Sequence, residues 1–341
     1  MNDLRKVYYL FILLLLITLI VPVPDSDLSR QLQQKVINIQ HELLNEQTVK
    51  NVELKTPNDQ EFAINNIQIN QTKSDVEKHL GKPKRVTVNE YNEKWHTYHN
   101  QYHEFVMVSY DHGRVSGLYT NQDLITSQKG ITSKMDKTKV RSILGKPVSE
   151  IQKDKVKLIQ NDQDYDVFKF DNIYTTIFYD KYENNQIKGI MQIAANTENK
   201  RTNQYRPASK DYERALELQN YDLVNAERVN FDLPTLTYNG GVSQTARKHS
   251  QDMVENDYFD HTNKQGLSPF DRLDQDGFNY IAAGENLAFG QISSVYAHHG
   301  LMNSMGHREN ILNKDYKELG VGVDIGEDLQ PYWTENYITQ Q

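Results

Sequence analysis

The chain has 341 residues, with 46 Asp and Glu against 38 Lys and Arg, which gives a formal net charge of −8. This length predicts two or three domains of ordinary size. The acidic balance excludes a general nucleic-acid binder, because such proteins gain affinity from Lys and Arg that neutralise phosphates. The chain has no cysteine, which excludes a disulfide framework, thiolate zinc sites, iron–sulfur clusters and a cysteine nucleophile.

A hydrophobic segment near the amino terminus is the first predicted element. Residues Val7 to Val23 are uncharged, and Arg5 and Lys6 precede them, a pattern typical of a signal anchor whose amino end stays inside. The run ends in prolines without the small residues of a cleavage site. We therefore predict that residues 1–24 form an uncleaved, single-pass anchor in the cell membrane, with a cleaved signal peptide as the alternative. Either way the rest of the chain is extracytoplasmic, and a cysteine-free exported chain fits a Gram-positive bacterium.

Residues 25–54 predict a stalk between this anchor and the first folded domain. Between Ser26 and Gln47, apolar residues recur at spacings of three and four, which is typical of an amphipathic helix. The segment is too short to predict a coiled coil.

An internal duplication follows the stalk. Leu80-Gly81-Lys82-Pro83 recurs as Leu144-Gly145-Lys146-Pro147, and each copy follows a polar cap and one or two predicted helical turns. Downstream of each copy, two strand-like segments flank a polar turn; they are Phe105–Tyr110 with Val115–Thr120, and Tyr174–Tyr179 with Gln186–Ile193. We predict a duplicated helix-plus-antiparallel-sheet module over residues 55–195, which serves as a scaffold or interaction module.

A second globular domain is predicted over residues 211–341. Residues 196–210 are polar and contain Pro207, so they predict a linker from which the two domains are separable. Beyond the linker, helical patterns cover Asp211–Phe231 and Val242–Glu255, and residues 320–338 alternate as strands do. The glycine-rich run at the start of that tail predicts a strand that requires close backbone packing. The predicted fold class is α+β.

The candidate catalytic or metal-ligating residues lie in three sequence blocks of this domain. They are Tyr258–Thr262 with His261, Gly284–Leu287 with Glu285, and Met302–Leu312 with His307. Two imidazoles and a carboxylate fit an open metal site or, without metal, a general acid/base cluster. Spacing alone is a weak signal, because a histidine in a folded domain is more often structural than functional.

The same blocks carry a family resemblance. The chain from about Asp211 to Gln341 resembles the bacterial branch of the CAP superfamily, named after cysteine-rich secretory proteins, antigen 5 and pathogenesis-related proteins, and also called SCP-like. The resemblance rests on five blocks: Asn225–Leu236, Tyr258–Thr262, Gly284–Gly290, Met302–Leu312 and Leu319–Gly326. The duplicated region is similar to the CAP-associated module that precedes this domain in Firmicutes. The resemblance implies an α-β-α sandwich for the carboxy-terminal domain.

The resemblance also implies a cleft with two histidines and two acids, proposed in the family to bind a divalent metal. His261 takes the first histidine position, Glu285 the first acid and His307 the second histidine. Where animal and plant members have Trp-x-x-Glu, this chain has Leu301-Met302-Asn303-Ser304, so a neutral serine replaces the second acid. The loss of a hard ligand leaves at most a weakly bound divalent metal as a cofactor. We expect that neither His298 nor His299 substitutes for that acid.

Two further expectations concern histidines and their neighbours. His96, His99 and His103 are spaced like a metal trio, but the second repeat lacks them, so we predict a solvated strand or loop. In the cleft, Asn286 and Arg308 are expected to hold their blocks in place. One glutamate facing two imidazoles favours protonated histidine when no metal is bound.

Two functions are compatible with these patterns. The first is a membrane-anchored, extracytoplasmic protein at the cell surface that binds a wall, lipid or protein ligand or serves as a scaffold. The alternative is a secreted-type hydrolase, a protease or nuclease, in which His261, Glu285 and His307 activate water with or without a metal. A fold does not decide between them.

Overall fold

The computed structural model describes residues 52–153, 157–160 and 162–341. The predicted anchor at residues 1–24 and nearly all of the predicted stalk at residues 25–54 lie outside this range. Within it, no helix has the length and apolar character needed to cross a membrane.

The described residues form strands and helices in an α+β arrangement. The strands are β1 (Phe62–Ile64), β2 (Arg85–Val88), β3 (Lys94–Asn100), β4 (His103–Asp111), β5 (Arg114–Thr120), β6 (Ile125–Ser127), β7 (Glu150–Gln152), β8 (Lys157–Ile159), β9 (Tyr165–Phe170), β10 (Ile173–Asp180), β11 (Gln186–Ala194), β12 (Thr237–Tyr238), β13 (Tyr280–Phe289), β14 (Glu318–Ile325) and β15 (Pro331–Gln340). The helices are α1 (Lys73–Leu80), α2 (Lys137–Leu144), α3 (Ala195–Lys200), α4 (Lys210–Asn230), α5 (Gly240–Glu255), α6 (Pro269–Gln275), α7 (Ser294–Met302) and α8 (Met305–Ile311).

The Leu-Gly-Lys-Pro segments end helices α1 and α2, as predicted. Thr72 and Asp136 cap the amino ends of these helices, each accepting a hydrogen bond from a backbone N–H of the first turn. Gly81 and Gly145 follow the last helical residues with φ values of 80° and 89°, a left-handed backbone that a side chain would disfavour.

The amino-terminal part is built around an antiparallel sheet. Among the described strands, its order is β2-β3-β4-β5-β11-β10-β9. The β5–β11 pair lies at its centre, where Ile193 is opposite Gly117. One hydrophobic core contains both Val76 of α1 and Val140 of α2. Each helix-and-strand unit therefore covers apolar surface of the other, which a unit this short cannot bury alone.

The carboxy-terminal part is a sheet covered on both faces by helices. Its strand order is β12-β14-β15-β13 among the described strands. Val321 and Val323 of β14 belong to one core together with residues of α4, α7 and α8, whereas Gly320 and Gly322 face α5. A Cβ on these two glycines would lie 2.2 Å from the Ser243 nitrogen and 2.0 Å from the Arg247 nitrogen. Only glycine allows α5 to approach the strand this closely, so the predicted close packing is confirmed.

The segment predicted as a separable linker is instead part of the folded unit. Its first residues form α3, whose Glu198 is buried and bonded to the Lys153 amine at 2.6 Å and to Arg201 at 2.9 Å. Beside it, Trp95 and Phe105 of the first sheet share a core with Leu223 of α4. Residues 52–341 therefore form one compact unit. A polar composition predicted the linker, but buried contacts between distant segments decide its conformation.

Candidate functional site

The His261–Glu285 pair is the centre of the cleft. His261 lies in the loop between α5 and α6, and Glu285 lies in the middle of β13. The His261 Nδ1 atom is 2.9 Å from Glu285 Oε1. The Glu285 side chain is only 1% exposed, whereas the His261 side chain is 50% exposed. The contact therefore joins a buried anion to an imidazole that ligands can reach.

Arg272 is the second partner of Glu285. Its guanidinium Nη2 donates to Glu285 Oε2 at 2.6 Å, and Nη1 donates to the carbonyl oxygens of His261 and Leu267. Ser268 fixes the start of α6 through a capping box with Asp271. Arg272 thus holds the His261 loop against β13. This role was not predicted, although Arg272 ends the segment Ser268-Pro269-Phe270-Asp271-Arg272 shortly after His261.

Asparagines connect His307 to the rest of the cleft. Asn286 Nδ2 donates to the His307 carbonyl oxygen at 3.1 Å and to Glu335 Oε2 at 3.0 Å. Asn310 Nδ2 donates to Asn286 Oδ1 at 2.9 Å and to the Glu285 carbonyl oxygen at 3.1 Å. Helix α8 is therefore held against β13 and β15, and the contacts of Asn286 agree with its predicted role.

A second acid near the cleft comes from β15 and was not predicted. Glu335 is fully buried, and its Oε2 accepts hydrogen bonds from Asn286 and from the Tyr337 hydroxyl at 2.6 Å. Its other oxygen, Oε1, has no hydrogen-bond partner within the described part of the chain, and the charge of the carboxylate acts on His307. Ser304, at the position expected for the acid, instead occupies the cap position of α8. The signal for Glu335 is the single acid of strand β15, placed between Trp333 and Tyr337.

The pKa values of the two cleft imidazoles are shifted in opposite directions. The hydrogen bond to Glu285 raises the pKa of His261, although burial opposes the effect. Burial lowers the pKa of His307, and the charge of His261 lowers it further, against the attraction of Glu335. The direction of the shift agrees with the expectation of protonated histidine for His261 and is opposite to it for His307, because desolvation outweighs the nearby acid there. The cleft therefore combines one imidazole that is protonated more readily than usual with one that is protonated less readily.

These contacts do not fit the predicted metal site on His261, Glu285 and His307. Both oxygens of Glu285 are hydrogen-bonded, and the Arg272 guanidinium occupies the position beside Oε2 that a cation would need. Over residues 52–153, 157–160 and 162–341, no group of three His, Asp or Glu side chains could hold a metal ion. Metal binding there stays a prediction from the resemblance.

His298 and His299 face away from the cleft. His298 is fully buried, with Nε2 at 3.7 Å from Glu227 Oε2. The His299 Nε2 atom is 2.9 Å from the Tyr119 hydroxyl, and its ring stacks on Phe178 at a centroid distance of 4.1 Å. His299 therefore contacts the amino-terminal part, whereas His298 lies beside Glu227 of α4. Both positions agree with the expectation that neither histidine replaces the second acid.

The trio on β3 and β4 is not a solvated strand. His96 packs edge-on against Tyr110 with centroids 4.9 Å apart, and His99 stacks on Tyr102 at 4.1 Å. Burial lowers the pKa of each of these two imidazoles to about 4. They are neutral packing residues, and the prediction of solvation was wrong because aromatic neighbours cover them. His103 begins β4 and is partly buried.

Residues 221–337 match the cysteine-rich secretory protein family, CAP, and residues 69–204 match the CAP-associated N-terminal family. This chain is a CAP-domain protein. The helix-covered sheet with the cleft is its CAP domain, and the sheet around β5 and β11 is its CAP-associated module.

Two relatives come from Bacillus subtilis (strain 168). The uncharacterized membrane protein YlbC is 28% identical over 283 residues, which is 77% of this chain and 80% of that protein. The uncharacterized protein YkwD is 41% identical over 125 residues, which is 36% of this chain and 47% of that protein.

Two solved structures share the fold. An extracellular protein containing an SCP domain from Bacillus anthracis (strain Ames) matches with a TM-score of 0.69 at 21% identity, over 86% of this chain and 100% of that one. A cysteine-rich secretory protein from Staphylococcus aureus (Mu50) matches with a TM-score of 0.61 at 15% identity, over 80% and 91%. The similarity therefore extends beyond the CAP domain to the module.

Proposed function

We propose that this CAP-domain protein is anchored in the cell membrane and binds a ligand outside the cytoplasm through its CAP cleft. One observation carries the proposal: His261 and Arg272 satisfy both oxygens of the buried Glu285. The carboxylate is thereby used to hold an imidazole in place, and the cleft offers imidazole N–H groups in preference to free anionic oxygens.

The chemistry of the ligand follows from the two imidazoles. Below its raised pKa, His261 is a cation whose other ring nitrogen donates a hydrogen bond. A neutral His307 can donate or accept. The pair suits an anionic or hydroxyl group of a wall, lipid or protein ligand. Binding of an anion weakens as the pH rises through the pKa of His261, because the imidazole then loses its charge.

The division of the chain is part of the same proposal. Residues 1–24 form the anchor, 25–54 the stalk, 55–195 the duplicated module and 211–341 the CAP domain, with residues 196–210 between the last two. The buried contacts of Trp95 with α4 support a scaffolding role, because they fix the module on the CAP domain.

The alternative function is a hydrolase, and the state of His307 is the observation that favours it. A neutral imidazole near pH 7 is a competent general base, and buried Glu335 acts on it electrostatically. In that case His307 would accept a proton from water while His261 donates one to the leaving group. We rank this second, because the paired Glu285 is left with no free oxygen to activate water.

Metal analysis of the purified full-length chain separates the binding cleft from a metal-dependent hydrolase, with His261→Ala and His307→Ala as variants. A binding cleft predicts no stoichiometric metal that depends on either histidine. One equivalent of metal in the wild type that both variants lose would move the assignment to a metal-dependent hydrolase.

The proposed location has its own test. Protease treatment of intact cells should remove the chain beyond the anchor, and mass spectrometry should recover the Met1 end in the membrane fraction. A mature amino terminus near Asp25 in the medium would contradict the anchor and indicate a secreted protein.

A further inference from the structure

A cavity of about 510 Å³ lies between the CAP-associated module and the CAP domain. The module contributes Tyr165 and Phe178 from β9 and β10, and the CAP domain contributes Gln291 and Tyr296 around the start of α7. The three predicted cleft residues do not line it. Its volume is within the range of about 300–1,000 Å³ that is typical of small-ligand sites, and such sites favour domain interfaces.

One wall of this cavity is aromatic. The rings of Tyr165 and Tyr296 meet nearly at right angles with centroids 5.2 Å apart, and Phe178 meets Tyr296 at the same distance. Tyr296 is only partly buried and lines the cavity. Part of its ring is therefore available to a ligand there.

Another part of the lining is polar, and its two cations among the described residues, Arg201 and Lys157, are both paired. The Arg201 guanidinium bonds to Glu198 at 2.9 Å and lies 5.4 Å from the centroid of the Tyr91 ring. The Lys157 amine bonds to Glu150 at 2.9 Å. A phosphate or carboxylate ligand would have to compete with these carboxylates for the cations, so the lining is not suited to an anion.

Amide groups complete the lining. Gln204 and Gln291 are both lining residues, and an amide side chain can donate and accept hydrogen bonds at once. The Oε1 atom of Gln291 is buried without a hydrogen-bond partner among the described residues, which is an unfavourable state. The amide gains a partner if it turns toward a ligand in the cavity.

We propose that this cavity binds a neutral carbohydrate. A sugar ring has apolar C–H faces that pack on the partly exposed rings of Tyr165 and Tyr296, and equatorial hydroxyls that pair with amides and tyrosine hydroxyls. An acyl chain would leave the polar part of the lining unsatisfied. This site is independent of the imidazole cleft, because the two share no described residue.

The probe is a tetramer of β-1,4-linked N-acetylglucosamine, whose acetamido groups complement glutamine amides. Its binding to the full-length chain is measured by calorimetry in a detergent without sugar head groups. We expect saturable binding that Tyr165→Ala and Gln291→Ala each weaken by about tenfold or more, equivalent to about 1.4 kcal/mol. Tyr182→Ala is the matched control, since Tyr182 is a 38% exposed tyrosine outside the cavity, and it should change the affinity less than about twofold.

Three results would overturn the proposal: no saturation at about 10 mM tetramer, equal loss in the control, or tighter binding of a neutral tetrapeptide. The folding of each variant is checked by its thermal unfolding midpoint. If Tyr165→Ala fails to fold, Gln291→Ala still tests the proposal, because it removes no aromatic packing. His261→Ala should leave sugar binding unchanged. The experiments therefore distinguish failure of the carbohydrate proposal from failure of the function proposed for the cleft.

Discussion

Two pairs of histidines in the CAP domain have opposite surroundings. His261 and His307 line the cleft, where the side chain of His261 is half exposed. His298 and His299 lie on α7 and are both buried. His299 packs on Tyr119 and Phe178 of the CAP-associated module, and His298 lies beside Glu227 of α4. The residue type is the same in all four, so the difference lies in how far the surrounding protein covers them. A fully buried histidine serves packing, whereas one at an open edge can bind and titrate.

The contact region between the CAP-associated module and the CAP domain also supports the cleft. Asn303, in the turn between α7 and α8, donates to the Tyr179 carbonyl oxygen at 2.8 Å and accepts from the Lys181 N–H at 3.0 Å. Arg308 follows His307 and bonds to Asp180 of the module at 2.8 Å. Arg308 therefore holds its block as predicted, but its partner belongs to the module and not to the cleft.

Removing the cation beside Glu227 should give the largest loss of stability. Glu227 is fully buried, and although burial raises its pKa, Lys188 and His298 lower it to about 2. Its ion pair thus stabilises the fold at neutral pH, and this contribution falls as the pH drops through that value. Lys188→Met should lower the free energy of unfolding by about 3–5 kcal/mol in urea titrations.

The matched control is Lys129→Met. Lys129 is 45% exposed and lies 4.0 Å from Glu61, so its removal should cost less than about 1 kcal/mol. Equal losses of unfolding free energy in Lys188→Met and Lys129→Met would show that the buried ion pair stabilises the fold no more than the exposed one.

Asp180→Asn tests whether the module positions the cleft. The change leaves the buried Arg308 without its closest anion, and we expect a loss of about 2 kcal/mol together with shifted NMR resonances of His307. Glu183→Gln is the control, since Glu183 is 55% exposed and 3.7 Å from Arg308. If the His307 resonances do not shift in Asp180→Asn, the module does not position the cleft.

A smaller effect should distinguish the two histidine pairs directly. His299→Phe keeps the stack on Phe178 but leaves the buried Tyr119 hydroxyl without its partner, which should cost about 1–2 kcal/mol. His307→Phe, in the half-open cleft, should change the stability by less than about 0.5 kcal/mol. A larger loss at His307 would reverse the roles assigned to the pairs.

The sequence predicted local elements and the cleft blocks more successfully than their surroundings. Helices α1 and α2 were predicted because caps and glycine stops are local signals. His261 and Glu285 were found through the resemblance, and the structure brings them together. Arg272 and Glu335 were missed, since only the tertiary fold brings them to the cleft.

The errors have the same origin. The polar composition of residues 196–210 favoured a free linker, yet α3 is buried by contacts from distant segments. His96 and His99 looked solvated because a strand pattern does not say which aromatic rings cover it. In each case the local pattern was interpreted correctly, but tertiary contacts with distant residues bury a segment that the pattern predicted to be exposed.

The most direct test of the cleft assignment is an NMR pH titration of His261 and His307, in the wild type and in Glu285→Gln, with and without zinc. We predict that His261 titrates above the ordinary value of 6.5 and His307 below it. We also predict that Glu285→Gln lowers the pKa of His261 and that micromolar zinc leaves both imidazoles unchanged. Resonances of both histidines that saturate at micromolar zinc, or a His261 pKa indifferent to Glu285→Gln, would contradict the cleft assignment.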